Sequence, residues 1–201
     1  MTEHEYDRRY TAYQTDRSAF RKLVRRAYLT KARSYVRGRA LDLGCGIGEL
    51  LSSLPEGSKG LEYNRDTVQY CVEHGMDVSW YDGFADDWAL GVVSRGDGFQ
   101  TLIISHVLEH LADPMTILSK LLAAAPEKGI ERLLIIVPGK AGYASDATHV
   151  TFVDEGMVRG ALISSGWKPA HVQYFPGNLR RIGDRFAYHE LQMLLVPHTQ
   201  A

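Results

Sequence analysis

From about residue 17 to 36 apolar side chains recur at spacings of three and four, through Phe20, Leu23, Val24, Ala27, Tyr28 and Tyr35, which predicts an amphipathic helix. Tyr6, Tyr10 and Tyr13 carry the same spacing and predict a short helix before it. After Gly38 the period changes, and "ALDLG" is a short apolar run that ends in glycine, the pattern of a buried strand. "IGELLSSL" predicts a helix stopped by Pro55, "KGLEY" a second strand, and "NRDTVQYCVEHG" a helix capped by Asn64 and stopped at Gly75. "DVSWYDG" and "FQTLIIS" are the third and fourth strands. A helix from Pro114 to Ala125 follows, then "ERLLIIV" as the fifth strand, ending at Pro138. "DEGMVRGALISSG" is a further helix, and "WKPAHVQYF" and "YHELQMLLV" close the chain as two strands. Strands that alternate with helices predict an α/β sandwich on a mostly parallel sheet. The two final strands have no helix between them, so one of them should run antiparallel.

The stretch "LDLGCGIGELL" carries the most chemistry. A strand ends at Gly44, and Gly46 and Gly48 lead the chain onward, so a ligand can approach the backbone closely where no Cβ intervenes. Such a ligand sits outside the carboxyl ends of the strands, near the point where the strand order reverses. The dinucleotide fingerprint requires a third glycine three residues after the second, and position 49 is Glu. A phosphate-binding Walker loop fails as well, because no Gly-Lys-Ser/Thr follows.

With D-L-G-C-G-I-G, and Asp42 two before the first glycine, the sequence resembles the class I S-adenosylmethionine-dependent methyltransferases. The resemblance extends over roughly residues 38–175 and includes "FQTLIISHVLEHLADP" and "THVTFVDEGMVRGALISSGWKP". It implies a Rossmann-like sandwich with a seven-stranded, mostly parallel sheet and a last antiparallel strand. A helical, basic arm or lid would occupy residues 1–37 and the methyltransferase domain residues 38–201. It also implies S-adenosylmethionine as cofactor, leaving as S-adenosylhomocysteine. Asp42, Gly44, Cys45, Gly46 and Gly48 belong to the donor turn, with Cys45 foremost a packing residue. Glu62, 18 residues after Gly44, is placed to hold both ribose hydroxyls, since a carboxylate accepts two hydrogen bonds at once. Tyr63 would cover the adenine, Asp82 and the Gly83 backbone would meet its amino edge, and Ser105 would meet the methionine part.

The same stretch contains His106, Glu109 and His110 in the spacing H-x-x-E-H, the zinc signature of the inverzincin peptidases. In those enzymes the motif lies on one helix. Here a strand runs into His106 and the helix starts only at Asp113-Pro114, and no third ligand is identifiable from spacing, so no metal is expected. Glu109 and His110 are expected to anchor their loop through hydrogen bonds to backbone groups. Methyl transfer is an in-line displacement from an activated donor, so positioning dominates. A general base is needed where the acceptor is a hydroxyl. His149 and then His106 are the candidates, with holding the loop as the structural alternative for His149.

The acceptor is less legible. The end of the fourth strand holds "SHVLEH" rather than the Pro-Pro-aromatic signature of base-modifying enzymes, which argues against nucleic acid. The pattern resembles the small-molecule branch, so the expectation is a small-molecule or glycan acceptor, methylated on oxygen. Arg180, Arg181 and Arg185 are candidates to meet an anionic one. Charge supplies the alternative: residues 1–40 hold 11 of the 23 Lys and Arg but only four acids, and a basic arm could dock RNA or a protein partner, or close over the donor with Tyr6, Tyr10, Tyr13 and Arg17. Two cysteines, a polar N-terminus and no apolar run near 20 residues predict a cytoplasmic protein without a membrane span.

Overall fold

A computed structural model describes the backbone of residues 19–198 and the side chains of residues 27–198. The tyrosine-spaced helix expected at residues 6–13, and the lid residues with it, lie outside these. The first described helix, α1 (Ala19–Ser34), confirms the 3–4 periodicity. Strands β1 (Arg39–Leu43), β2 (Lys59–Glu62), β3 (Val78–Trp80), β4 (Phe99–Ser105), β5 (Arg132–Pro138), β6 (Trp167–Phe175) and β7 (Glu190–Pro197) fall where the apolar runs place them. They form one sheet in the order β3-β2-β1-β4-β5-β7-β6. β1 to β5 run parallel, and β7 is antiparallel to both β5 and β6. The last strand in sequence is thus the antiparallel one, slotted inside β6.

Alternation along the central strands sends successive side chains to two covered faces. Leu41, Leu102, Ile104, Leu133 and Ile135 face one core with Leu118, Leu121 and Leu122 of helix α3 (Pro114–Glu127) and Val158 of α5 (Glu155–Ala161). Ala40, Ile103, Leu134 and Ile136 face the other, against Ala32 and Leu29 of α1 and Leu50. Helix α2 (Arg65–Glu73) covers β2 and β3 on this second face through Cys71, which packs with Leu51 and Val78. The last turns of α1 are therefore built into the core, and Tyr35 donates from its hydroxyl to Gln173 of β6 at 2.9 Å.

Caps explain the boundaries. Asn64 accepts from the Thr67 N–H, Asp113 from Thr116 with Pro114 in the first turn, and Asp154 from Met157. Gly75 follows α2 at φ +76°, where glycine alone is unstrained. One expected helix is absent: "IGELLSSL" makes only a 3₁₀ turn, Leu51–Ser53. The Ser52 and Ser53 hydroxyls each donate to a backbone carbonyl, those of Gly48 and Leu50, and Pro55 ends the segment before a second turn can form. A short helix that the pattern does not show, α4 (Lys140–Ala144), lies in the Gly-rich loop after β5. Its Gly142 packs so closely on the Ala187 carbonyl that a Cβ would sit 2.7 Å away. Among the described residues no helix is long and apolar enough to cross a membrane.

Candidate active site

Strands β1 and β4 are neighbours, while their outgoing chains turn to opposite sides of the sheet, which opens a crevice at their carboxyl ends. Gly44 takes φ +70° there, and a Cβ on it would lie 2.4 Å from Cγ2 of Val107, just beyond β4. Two chain segments can therefore cross only at a glycine. The Gly44 N–H donates to the Leu61 carbonyl at 2.7 Å, which ties the turn to β2. The turn then reaches the Glu62 side chain. Its Oε2 accepts from the Gly46 N–H at 2.9 Å and its Oε1 from the Asn64 N–H at 2.8 Å. These two bonds fix the orientation of the carboxylate at the crevice.

Asp42 stands beside it, 2% exposed, with Oδ2 lacking any hydrogen-bond partner. Burial first, and then the Glu62 carboxylate, push its pKa up from 3.8 to about 7. A buried acid with an unpartnered oxygen is suited to a cationic or hydrogen-bond-donating ligand. The crevice is a cavity of about 270 Å³ whose lining includes Asp42, Gly44, Cys45, Gly46, Glu62 and Ser105. Cys45 lines it and also fills the hollow over Gly60, where a Cβ would lie 2.6 Å from its sulfur.

Other donor-turn residues are placed differently. Gly48, at φ +76°, packs against Met76 rather than on the cavity. Tyr63 is 61% exposed at the open rim beyond Glu62, and its carbonyl accepts from the Trp80 indole at 2.7 Å. Asp82 turns its Oδ1 to the N–H groups of Phe84 and Ala85, and Gly83 lies against the Trp88 ring. Asp82 follows β3, and the Tyr81 N–H joins β3 to the Glu62 carbonyl at 2.9 Å. That puts Asp82 and Gly83 near the open side of the crevice and outside its lining.

At the opposite end the strand gives way to His106, whose φ of +55° is strained for any residue but glycine. Its Nδ1 lies 3.1 Å from Glu109 Oε1 and its Nε2 3.3 Å from Glu190 Oε2. Both partners are buried carboxylates, and a carboxylate only accepts, so both ring nitrogens donate and the ring is an imidazolium. Burial pulls its pKa down, but the two acids outweigh this and raise it to about 10. With both nitrogens protonated it has no lone pair for the base role expected of it.

Glu109 does not anchor the loop with its side chain, as expected, but its backbone carbonyl does, accepting from Val150 at 2.7 Å and Thr151 at 3.0 Å. Those bonds bring His149 alongside. His149 Nδ1 lies 2.8 Å from the Tyr143 carbonyl and must donate to it. Its Nε2 is left 4.0 Å from Glu109 Oε1, beyond hydrogen-bond reach. His110 Nδ1 lies 3.2 Å from the Thr148 carbonyl, as a loop anchor should.

A second cavity of about 140 Å³ shares Leu50, Ser105, His106, Pro138 and Ala187 with the first. Tyr28, Leu29 and Ala32 of α1 wall one side, and Tyr188 and Glu190 another. Of these, Glu190 and the α1 residues carry no sequence signal, because neither a buried acid in a strand nor an amphipathic helix announces which crevice it faces. Arg180 pairs with Asp154 at 3.3 Å, and Arg181 and Arg185 are exposed. None of the three lines either cavity.

The family model described as methionine biosynthesis protein MetW matches residues 26–133, more than half of the chain. The chain belongs to the MetW family. The matched residues run from α1 through the glycine turn and His106 to β5, and leave the β6–β7 region of this MetW chain outside. No curated protein sequence matches it. Among solved structures it is similar to an S-adenosylmethionine-dependent methyltransferase from Archaeoglobus fulgidus, at 21% identity and a TM-score of 0.65, over 88% of this chain and 94% of that one. It is also similar to magnesium protoporphyrin IX methyltransferase from Synechocystis PCC 6803 with bound S-adenosylhomocysteine, at 17% identity and a TM-score of 0.60, over 98% and 89%. An S-adenosylmethionine-dependent methyltransferase from Mesorhizobium loti matches at 15% and 0.57, over 83% and 96%. This MetW family member has the class I methyltransferase fold. The residues of its crevice fit S-adenosylmethionine, with two acids and a glycine-lined wall for a ligand that carries a ribose and two positive charges.

Proposed function

We propose that the crevice binds S-adenosylmethionine and that the protein transfers its methyl group to an oxygen of a small-molecule or glycan acceptor, leaving S-adenosylhomocysteine. The observation that carries this reading is the Glu62 carboxylate, fixed by the Gly46 and Asn64 N–H groups at the mouth of the glycine turn. A carboxylate so held is preorganised for a pair of vicinal hydroxyls, because its rotamer is already selected before the ligand arrives. Asp42 would meet the α-ammonium group, Ser105 the rest of the methionine part, Tyr63 the adenine face, and Asp82 with Gly83 its amino edge.

The bound donor supplies an electrophilic methyl group on a sulfonium, already activated by its charge. The chain's own residues orient and exclude water. The small cavity under α1 adjoins the donor crevice at Ser105 and His106, which suits it for the acceptor. His106, partly exposed there with both ring nitrogens held by Glu109 and Glu190, presents a positively charged face to an acceptor oxygen. His149, only 9% exposed, keeps an Nε2 lone pair at the same end, where it can take the acceptor's proton directly or help hold a cation that acidifies it.

Calorimetric titration of chelator-treated protein with S-adenosylmethionine tests the proposal, with Glu62→Ala beside it. Micromolar binding, roughly −8 kcal/mol, that the substitution weakens about a hundredfold is the expected result. Absence of binding, or binding indifferent to Glu62, would overturn the assignment of the crevice.

A further inference from the structure

Glu109, His110 and His149 are separated by as many as forty positions, yet one ligand atom from each lies within 4.8 Å of the other two. Their arrangement is not the one-helix grip of an H-x-x-E-H peptidase. His110 and Glu109 sit on the 3₁₀ turn Leu108–His110, and His149 arrives from the loop after β5. Backbone hydrogen bonds from Val150 and Thr151 to the Glu109 carbonyl hold the two segments together, and the Thr151 hydroxyl adds one to Leu111 at 2.7 Å.

Every one of the three has a partner that aims it. The Tyr143 carbonyl takes the Nδ1–H of His149, and the Thr148 carbonyl that of His110, so in the neutral ring the lone pair is on Nε2 in both. His106 holds Oε1 of Glu109. Such outer hydrogen bonds, to carbonyls from histidines and to a carboxylate ligand, are what orient metal ligands. Glu109 has no exposed surface, and its Oε2 has no hydrogen-bond partner at all. A fully buried carboxylate oxygen left without a partner is unfavourable, and a cation removes that cost.

We infer that Glu109, His110 and His149 form a binding site for a first-row divalent cation at the acceptor end of the donor crevice. Two imidazoles and one carboxylate suit the series from Mn²⁺ to Zn²⁺; Mg²⁺ and Ca²⁺ prefer oxygen sets. An ion about 2.1 Å from each ligand would draw the ligand atoms to about 3.0–3.4 Å apart, a contraction that small side-chain rotations provide. Both His110 and His149 line the crevice, so the remaining coordination positions face it and accept oxygen atoms of the acceptor. That last role, and only that one, rests on the methyl-transfer reading.

The test is calorimetry of chelator-treated protein with Zn²⁺ and with Mn²⁺, repeated on His110→Ala and His149→Ala, each followed by titration with S-adenosylmethionine. The expected result is one ion per chain, with affinity falling more than about a hundredfold in each variant. No ion bound, or an affinity that either substitution leaves unchanged, would overturn the site. Loss of donor binding in the parent with metal binding intact would instead overturn the donor crevice and leave the cation site standing.

Discussion

The donor end of the crevice is assembled from Asp42 to Gly46 and Glu62, all within about twenty positions, and largely from backbone. The acceptor end draws His106 and Glu109 from one connection, His149 from a second and Glu190 from the start of β7, eighty-four positions beyond His106. Each end leaves one buried carboxylate oxygen without a partner, Asp42 Oδ2 and Glu109 Oε2, but at the acceptor end the His106 ring also lies between two buried carboxylates. The donor end is held together mainly by backbone hydrogen bonds, and the acceptor end by a cluster of charged side chains. The groups at the donor end should therefore govern affinity, and those at the acceptor end stability.

The largest expected effect follows from that division. His106→Ala leaves Glu109 and Glu190 buried without a counter-charge, and should cost about 3 kcal/mol in chemical denaturation. The partial exposure of the ring keeps it at the low end for such pairs. Donor affinity should stay within about threefold. Equal stability with lost donor binding would break the comparison, because the two ends would then act as one electrostatic unit. Glu62→Ala should show the mirror image: donor affinity down about a hundredfold, near 2.7 kcal/mol, with stability changed by less than about 1 kcal/mol.

A smaller effect separates shape from charge at the donor end. Gly48→Ala forces a Cβ into φ +76°, 2.2 Å from the Met76 sulfur. The thioether can move, so the backbone strain should dominate, at about 1.5 kcal/mol of stability. Gly75→Ala, with the same φ and nothing within 4 Å of its Cβ, isolates the backbone part, and the difference in melting temperature between the two variants measures the Met76 contact.

The smallest effect is a pH slope. Asp42 is held at about 7 in the folded protein against 3.8 ordinarily, so folding takes up a proton between those values. Its contribution to stability is fully present below about pH 4 and lost as pH rises through 7. A cationic donor favours the ionised form, so donor affinity should rise by up to about tenfold from pH 6 to pH 8. Asp42→Asn should abolish that slope; a slope that persists in the variant assigns it to another group.

Much of this was legible in the chain. Strand runs such as "FQTLIIS" and caps such as Asn64 and Asp113 are local facts of periodicity and hydrogen bonding, and they appear in place. The glycine turn stood out in the sequence by its glycines, and Glu62 through the family resemblance; the structure adds that the Gly46 N–H donates to the Glu62 carboxylate. The missing helix after Gly48 was not legible: only one turn forms there, with the Ser52 and Ser53 hydroxyls adding bonds to the Gly48 and Leu50 carbonyls, and Pro55 stops the segment.

By itself the sequence determined which segments are strands, that the sheet is mostly parallel, and where the glycine turn lies, because those depend on neighbours a few residues apart or one βαβ unit away. Only the tertiary structure decided that His106 is gripped by Glu190, that His149 stands beside Glu109 and His110, and that α1 walls the second cavity. Those meetings depend on loops closing over forty to eighty positions. Spacing carries no record of them, since the chain between fixes a distance along the backbone and not a position in space.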